Sequence, residues 1–104
     1  MAGKFSAEEV HEVMKHIPYG KVVTYGEIAT LMGCPNHSRH VGMAMHGAWE
    51  SGCPCHRVVF ADGSLVPGWN EQADLLRSEG VTIKENNKVD MKKSAWRPLE
   101  NERL

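Results

Sequence analysis

The chain pairs a nucleophilic residue type with a proton-accepting one in segment 54–57. There, Cys55 carries a thiol and is followed directly by His56. A thiol attacks an electrophile as its thiolate, and an ordinary cysteine has a pKa of about 8.5. A histidine can remove that proton, directly or through a water, when a carboxylate holds its useful tautomer. The pair predicts nucleophilic chemistry at Cys55, although a small buried cysteine beside a surface histidine gives the same pattern.

The same residue types also allow a zinc site as an alternative. Cys34, His37 and His40 follow one another at intervals of three, and Cys53 lies two residues before Cys55. Zinc ligands in each half of a small structural site are usually separated by about two to four residues. The two downstream cysteines are closer than that, and both histidines would have to leave the outer face of a helix together. We therefore expect no metal site.

Length and composition predict one intracellular domain over residues 1–104. With 41% hydrophobic and 24% charged residues, the composition is that of a globular chain. There is no run of roughly 20 apolar residues and no apolar signal segment, and three cysteines are too few for a disulfide framework. We expect a monomer without membrane contact, in the cytoplasm of a bacterium or the nucleus of a eukaryote. Because the net charge is −1, any nucleic-acid face must come from locally placed cations.

Two capping boxes predict the first two helices. In each, a Ser or Thr is followed three residues later by Glu, and apolar residues then recur at helical spacing. The boxes are Ser6 with Glu9 and Thr24 with Glu27. The first helix should stop at Pro18 and the second at Gly33. A third helix is expected from Asn36, with Val41, Ala44, Met45 and Ala48 facing inward and Gly47 near its end.

The tight turn 33–35 joins the second and third helices, which indicates a helix-turn-helix. A recognition helix needs a basic or hydrogen-bonding anchor and small residues that permit close approach. Arg39 and Gly42 meet that description, although a solvated helix face with one arginine has the same pattern. The outer face of the third helix consists of Arg39, Gly42, Met43 and His46, with Ser38 beside them.

The second half of the chain predicts short strands and one helix. Segments 57–60 and 64–66 flank a turn signal at 61–63, segments 81–84 and 88–91 flank a polar turn at 86–87, and both predict hairpins. A helix is expected over 70–79, ended by Gly80, with 92–104 as a loose tail. The predicted fold class is mainly α with small β, a winged helix-turn-helix DNA-binding domain with short hairpins. Because many winged domains bind only proteins, a plain regulator or protein-binding module is the alternative.

Four segments, in order, resemble the O6-alkylguanine-DNA alkyltransferase family. Residues 54–59 resemble its active-site signature, and residues 17–29 resemble the segment that leads into its helix-turn-helix. Residues 38–45 resemble its recognition helix, and residues 75–81 the segment after its active-site loop. The resemblance covers roughly residues 6–84.

The resemblance implies duplex DNA containing O6-alkylguanine as the partner, and a role for each matching residue. Cys55 would take the alkyl carbon from O6 and keep it as a thioether, in a single turnover without a cofactor. His56 would take the thiol proton and Glu79 would polarise His56. Tyr25 would hydrogen-bond the flipped guanine, and Arg39 would fill the gap left in the duplex. The remaining residues expected to contact DNA are Thr24, Ser38, Gly42, Met43 and Arg57.

Three features resemble instead the alkyltransferase-like proteins of the same family. Residues 47–52 replace an Asn-Pro pair, the loop 60–69 is shortened and lacks paired glycines, and the ending 89–96 is similar to theirs. Those proteins bind alkylated guanine without transferring the group and recruit nucleotide excision repair, and they normally have tryptophan or alanine where this chain has Cys55. Because the set Cys55, His56 and Glu79 is complete, we favour alkyl transfer. A damage sensor that recruits excision-repair proteins is the alternative.

Overall fold

In the computed structural model, which describes residues 5–98, helix α1 (Ala7–Met14) begins at the predicted capping box. The Ser6 hydroxyl accepts a hydrogen bond from the Glu9 N–H, and the Glu9 carboxylate accepts one from the Ser6 N–H. Phe5, which precedes the cap, and Val10, which follows it, are buried in the same core. The α-helix ends at Met14 rather than near Pro18, because the bonds of the next residues tighten to an i→i+3 pattern.

Helices α2 (Tyr25–Leu31) and α3 (Ser38–Met43) form the predicted helix-turn-helix. Thr24 and Glu27 make both bonds of the second capping box, and Gly33 follows α2 with a φ of 82°. Helix α3 begins two residues later than predicted, because the His37 N–H bonds the Cys34 carbonyl and closes a turn there.

Helix α3 also ends earlier than predicted, and the chain continues to residue 52 as successive turns. Gly47, with a φ of 77°, lies in the left-handed region that ends helices rather than extends them. The predicted inward face is confirmed nevertheless: Val41, Ala44 and Ala48 are buried, and Met45 packs against the same core.

The two named strands form a parallel pair that joins the halves of the chain. Strand β1 (Val23–Thr24) lies beside β2 (Val58–Val59), with Val23 opposite Val58. The hairpin predicted between 57–60 and 64–66 is therefore wrong in its strand partner, because β2 satisfies its backbone groups against β1. Its turn is confirmed: the Phe60 N–H bonds the Ser64 carbonyl, and Ser64 itself bridges Lys88.

Helix α4 (Glu71–Ser78) lies within the predicted range and is followed by Gly80 with a φ of 86°. The second predicted hairpin is confirmed as a short one, with Ile83 bridging Val89 and the turn residue Asn87 at a φ of 65°. Val89 and Leu76 share a second small core with β2.

The prediction of a loose tail is wrong for residues 92–98, and residues 99–104 lie outside the described part. Helix α5 (Met91–Ser94) is capped by the Asp90 side chain. The segment after it runs parallel to β1, where the Trp96 N–H donates to the Val22 carbonyl at 2.7 Å. Val22, which precedes β1, is buried, so its backbone N–H and carbonyl need hydrogen-bond partners, and this segment supplies them.

The observed elements confirm the predicted fold class, mainly α with a small β component. No helix within residues 5–98 is long and apolar enough to cross a membrane.

Gly63→Ala should destabilise the domain strongly. Gly63 has a φ of 88°, and a Cβ there would meet the Val89 carbonyl oxygen at 2.7 Å. We expect the free energy of unfolding to fall by about 2 to 4 kcal/mol. Gly47→Ala is the matched control, because its φ is 77° but nothing lies within 4 Å of the added Cβ. In urea denaturation, the free energy of unfolding of Gly47→Ala should fall by only about 1 kcal/mol. Equal losses of stability in the two variants would contradict the steric explanation.

Candidate functional site

Cys55 begins a single 3-10 turn (Cys55–Arg57) that leads directly into β2. Its side chain is half-buried, and it opens into a cleft of about 620 Å³. The residues lining this cleft, the thiol cleft, are Tyr25, Met45, Trp49, Cys55, Val66, Trp69, Glu71 and Leu75. A mostly apolar cleft with a few polar groups is typical of a ligand site.

The cleft keeps the Cys55 thiol protonated at neutral pH. Burial raises the pKa of Cys55 to about 11, with smaller contributions from the neighbouring Cys53 and from Glu50, while a backbone hydrogen bond lowers it. Because the thiolate is the nucleophile, very little of it forms at neutral pH without help. Any reaction at this sulfur therefore needs a base that removes the proton.

His56, the predicted base, is buried and bound to Glu79, the predicted orienting carboxylate. The two atoms His56 Nε2 and Glu79 Oε2 are 2.7 Å apart. Since an ionised carboxylate only accepts hydrogen bonds, Nε2 donates and Nδ1 is an acceptor in the neutral ring. Nδ1 is buried and has no hydrogen-bond partner among the described residues. The structure thus brings Cys55, His56 and Glu79 into one region, with one imidazole nitrogen available to take a proton.

Three donors converge on the Glu79 carboxylate. Burial raises the pKa of Glu79, but hydrogen bonds from Arg57, His56 and the Gly20 N–H outweigh it and bring the pKa down to about 2. Arg57 donates from Nε and Nη2 at 2.9 Å, and Gly20 donates at 3.0 Å. The carboxylate is therefore ionised throughout the physiological range, which keeps the His56 ring in a single tautomer.

Arg57 and Thr24 both have internal partners; the cap that Thr24 forms was predicted, and the partners of Arg57 were not. Besides Glu79, the Arg57 guanidinium donates to the Ile17 carbonyl at 2.9 Å and lies 5.6 Å from the centroid of the Tyr19 ring. The Thr24 hydroxyl caps α2. Contact of Arg57 and Thr24 with DNA stays a prediction. Both side chains would have to make it while they also form the internal hydrogen bonds described here.

Hydrogen bonds from the Gln72 side chain fix the turn that carries Cys55. The sequence did not single out this residue. The Gln72 side chain is fully buried; its NH2 donates to the carbonyls of His56 and Val58 at 3.2 Å. Its amide oxygen accepts from the Val66 N–H at 2.7 Å. Gln72 thereby joins α4, the turn and the far wall of the cleft. The only sequence signal was a glutamine within a helix, which is ordinarily exposed.

Tyr25 connects the thiol cleft to the outer face of α3. Its side chain lines the cleft and also a shallow groove of about 460 Å³. Burial raises the pKa of Tyr25, and Cys55 raises it further, so the phenol keeps its proton and remains a donor. The residues of the groove are Tyr25, Ser38, Arg39, Gly42, Met43, His46 and Phe60. Four of the predicted DNA-contacting residues therefore share one surface with Tyr25.

The groove combines an unpaired cation with exposed apolar side chains. Arg39 is exposed and makes no hydrogen bond or ion pair with any residue of the range 5–98. Met43 is 63% exposed, and Phe60, which stacks against Tyr25 at 5.2 Å between ring centroids, is 41% exposed. Exposed apolar side chains beside a free arginine are the groups with which minor-groove binders separate stacked bases.

Two tryptophans form the outer wall of the cleft, and neither was predicted. The rings of Trp49 and Trp69 meet edge to face with centroids 5.7 Å apart, and Trp49 also lies 6.0 Å from the His56 ring. They come from segments that differ from the family pattern, 47–52 and 60–69. In the sequence, the only sign of this wall was that both segments differ from the family pattern.

The residues weighed as zinc ligands lie in different surroundings. Cys53 is buried with its thiol aimed at the His11 carbonyl, whereas Cys55 faces the cleft. His40 bonds the carbonyl of Phe5. Within residues 5–98, no three Cys, His, Asp or Glu side chains are grouped to hold a metal.

Fold and site together define a helix-turn-helix domain in which Tyr25 of α2 and Cys55 line one cleft. Residues 6–81 match the family model described as the 6-O-methylguanine DNA methyltransferase, DNA binding domain. The chain therefore belongs to this family, which confirms the resemblance.

Relatives of two kinds are found within the family. Alkyltransferase-like protein 1 of Schizosaccharomyces pombe is 38% identical over 100 residues, which cover 86% of this chain and 93% of that protein. A methylated-DNA–protein-cysteine methyltransferase of Methanosarcina acetivorans is 42% identical over 77 residues. That match covers 70% of this chain and 49% of the methyltransferase, so the chain spans about half its length.

The solved structures include S. pombe Atl1 in complex with damaged DNA containing O6-carboxymethylguanine. The two structures superimpose with a TM-score of 0.80 at 35% identity. The match covers 88% of this chain and 94% of the Atl1 chain.

Glu79→Gln should make the domain less sensitive to acid. The folded pKa lies near 2 and the ordinary value is 4.5. The stabilisation from this group is therefore complete above about pH 4.5 and is lost as the pH falls toward 2. Glutamine does not titrate, so the variant should lose less free energy of unfolding between pH 7 and about pH 3, although it starts about 1 to 3 kcal/mol lower. Urea denaturation at both pH values measures this; equal losses in parent and variant would contradict it.

Proposed function

We propose that the protein binds duplex DNA containing O6-alkylguanine, turns the modified base into the thiol cleft and transfers the alkyl group to Cys55. The observation that carries the proposal is the joint arrangement of nucleophile, base and carboxylate. Cys55 opens into the cleft, and His56 on the same turn is oriented by Glu79. Membership of the family and the two kinds of relatives support the same conclusion.

Binding must extrude the base, because its O6 substituent cannot reach a thiol inside the stacked duplex. The α3 groove is the surface suited to this task. Arg39 is free to enter the space that the base leaves, and Met43 and Phe60 can pack against the neighbouring base pairs. Tyr25 borders both groove and cleft, so the base would pass it on the way to Cys55.

The transfer requires one bond to form and one to break. The Cys55 thiol gives its proton to His56 Nδ1, directly or through a water, and its sulfur bonds the alkyl carbon. The bond between that carbon and O6 breaks, and its electron pair stays with the guanine, which takes up a proton and becomes unmodified. Tyr25, which lines the cleft, would donate a hydrogen bond to the leaving base. The thioether is permanent, so each molecule acts once.

One observation favours the second candidate, a damage sensor that binds without transfer. Burial raises the pKa of Cys55 to about 11, which leaves the sulfur unreactive unless His56 acts on it. A sensor would hold the extruded base and present the complex to nucleotide excision repair proteins. The similarity to alkyltransferase-like protein 1 over nearly the whole of that protein supports this alternative.

Incubation with a duplex containing O6-methylguanine should add one methyl group to Cys55 and none to Cys34 or Cys53. Both other thiols are buried away from the cleft. Intact-protein mass spectrometry followed by peptide mapping measures the result. Cys55→Ser is the control: serine forms no thiolate, so this variant should bind the duplex and gain nothing. Tight binding with an unchanged mass of the parent would assign the protein to the sensor class, and methylation of the serine variant would place the acceptor elsewhere.

Arg39→Ala should weaken binding to the modified duplex by at least about tenfold while leaving the fold intact, because Arg39 has no partner within the described chain. Arg77→Ala is the matched control, since Arg77 is an exposed arginine on α4 that pairs with Asp74. Fluorescence anisotropy with labelled duplex gives both affinities. If the two variants bind alike, Arg39 does not enter the duplex.

A further inference from the structure

The thiol cleft has an aromatic wall and a single formal charge, and that charge is negative. Trp49 and Trp69 meet edge to face, and Tyr25 lies on the cleft as well. Glu71 is the only charged side chain among the described residues that line it. Aromatic faces present negative potential, and together with a carboxylate they attract cations and repel anions.

The position of Glu71 relative to Cys55 is fixed by the fold. Glu71 is the first residue of α4, and the next residue, Gln72, is the fully buried side chain that bonds the carbonyl of His56 on the turn of Cys55. The Trp69 carbonyl accepts the Gln72 N–H at 3.3 Å. Trp69 and Glu71, which both line the cleft, therefore lie close in the chain to a residue whose position is fixed by hydrogen bonds.

A second carboxylate acts in the same direction. Glu50 lies close enough to Cys55 to contribute to the raised pKa of its thiol, and it follows Trp49 in the chain. No lysine, arginine or histidine among the described residues lines the cleft to offset either carboxylate.

We propose that the cleft selects among O6 adducts by charge: it takes guanine with a neutral or cationic O6 substituent and discriminates against an anionic one, with Glu71 as the determining residue. This inference rests on the proposed function, because it concerns the substituent of the same extruded base. The S. pombe relative was crystallised with DNA containing the anionic adduct O6-carboxymethylguanine, and the same adduct serves as the anionic probe here.

The test uses two adducts of nearly equal shape, O6-carboxymethylguanine and its neutral amide, O6-carbamoylmethylguanine. Binding is measured in the Cys55→Ser background, so that transfer does not disturb the equilibrium. We expect the amide duplex to bind about three- to fivefold more tightly than the acid duplex, the size typical of an interaction with an exposed carboxylate such as Glu71. A duplex with O6-(2-aminoethyl)guanine should bind at least as tightly as the amide duplex.

Substitutions at two positions of α4 test whether Glu71 causes the difference in affinity between the amide and acid duplexes. Glu71→Gln should bring the amide-to-acid ratio of affinities toward one, and Glu71→Lys should reverse it. Asp74→Asn removes a carboxylate of the same helix that pairs with Arg77 and does not line the cleft, so its ratio should stay that of the parent.

An unchanged ratio in Glu71→Gln, or an equal change in Asp74→Asn, would overturn the inference. Preference for O6-methylguanine over guanine is measured in the same series. If that preference is absent, the proposed function itself fails. If it is present and the amide and acid duplexes bind equally, only the charge inference fails.

Discussion

The Glu79 carboxylate is the interaction on which the site depends. It lies at the end of α4, yet its three donors come from the turn after α1 and the turn that carries Cys55. A buried carboxylate is costly unless each oxygen is well bonded, and here Arg57 supplies the compensating charge. One group therefore fastens the two halves of the chain together and fixes the orientation of His56. Stability and chemistry are coupled at this point, so a change at Glu79 cannot affect one alone.

The parallel pair of β1 and β2 places the turn that carries Cys55 beside the start of α2. Strand β1 runs directly into α2 through Thr24, which caps the helix, and Tyr25 is therefore held next to the turn that precedes β2. Because of this arrangement, Tyr25 lines both the thiol cleft and the groove along α3. The net charge of −1 is compatible with the proposed contact, because that contact needs only one helix face with an exposed arginine and does not depend on overall charge.

Local signals in the sequence predicted local structure well. The capping boxes at Ser6 and Thr24 and the glycine after α4 determine their helix ends through bonds within a few residues. Pairing between distant segments was not predictable in the same way. The turn at 61–63 implied a hairpin, but β2 pairs with β1 about 35 residues away, a choice that depends on burial of both strands. Trp96 likewise joins the sheet region because Val22 needs a partner.

In the site, too, some residues could be predicted from the sequence and others could not. Cys55 and His56 were singled out from their residue types and Glu79 through the resemblance, and the structure pairs His56 with Glu79 on the turn that carries Cys55. Gln72, Trp49 and Trp69 were missed, because a buried glutamine is recognisable only from its partners and the tryptophans lie where the chain leaves the family pattern.

The rate of methyl transfer in Glu79→Gln, under single-turnover conditions, tests the central claim most directly. Affinity for the O6-methylguanine duplex is measured alongside it, at a temperature where circular dichroism shows parent and variant equally folded. Because Glu79 acts on the His56 ring and not on the base, we expect the rate to fall by about 10²-fold or more with affinity changed less than about threefold. A parent-like rate in the variant, or no transfer by the parent, would contradict the account.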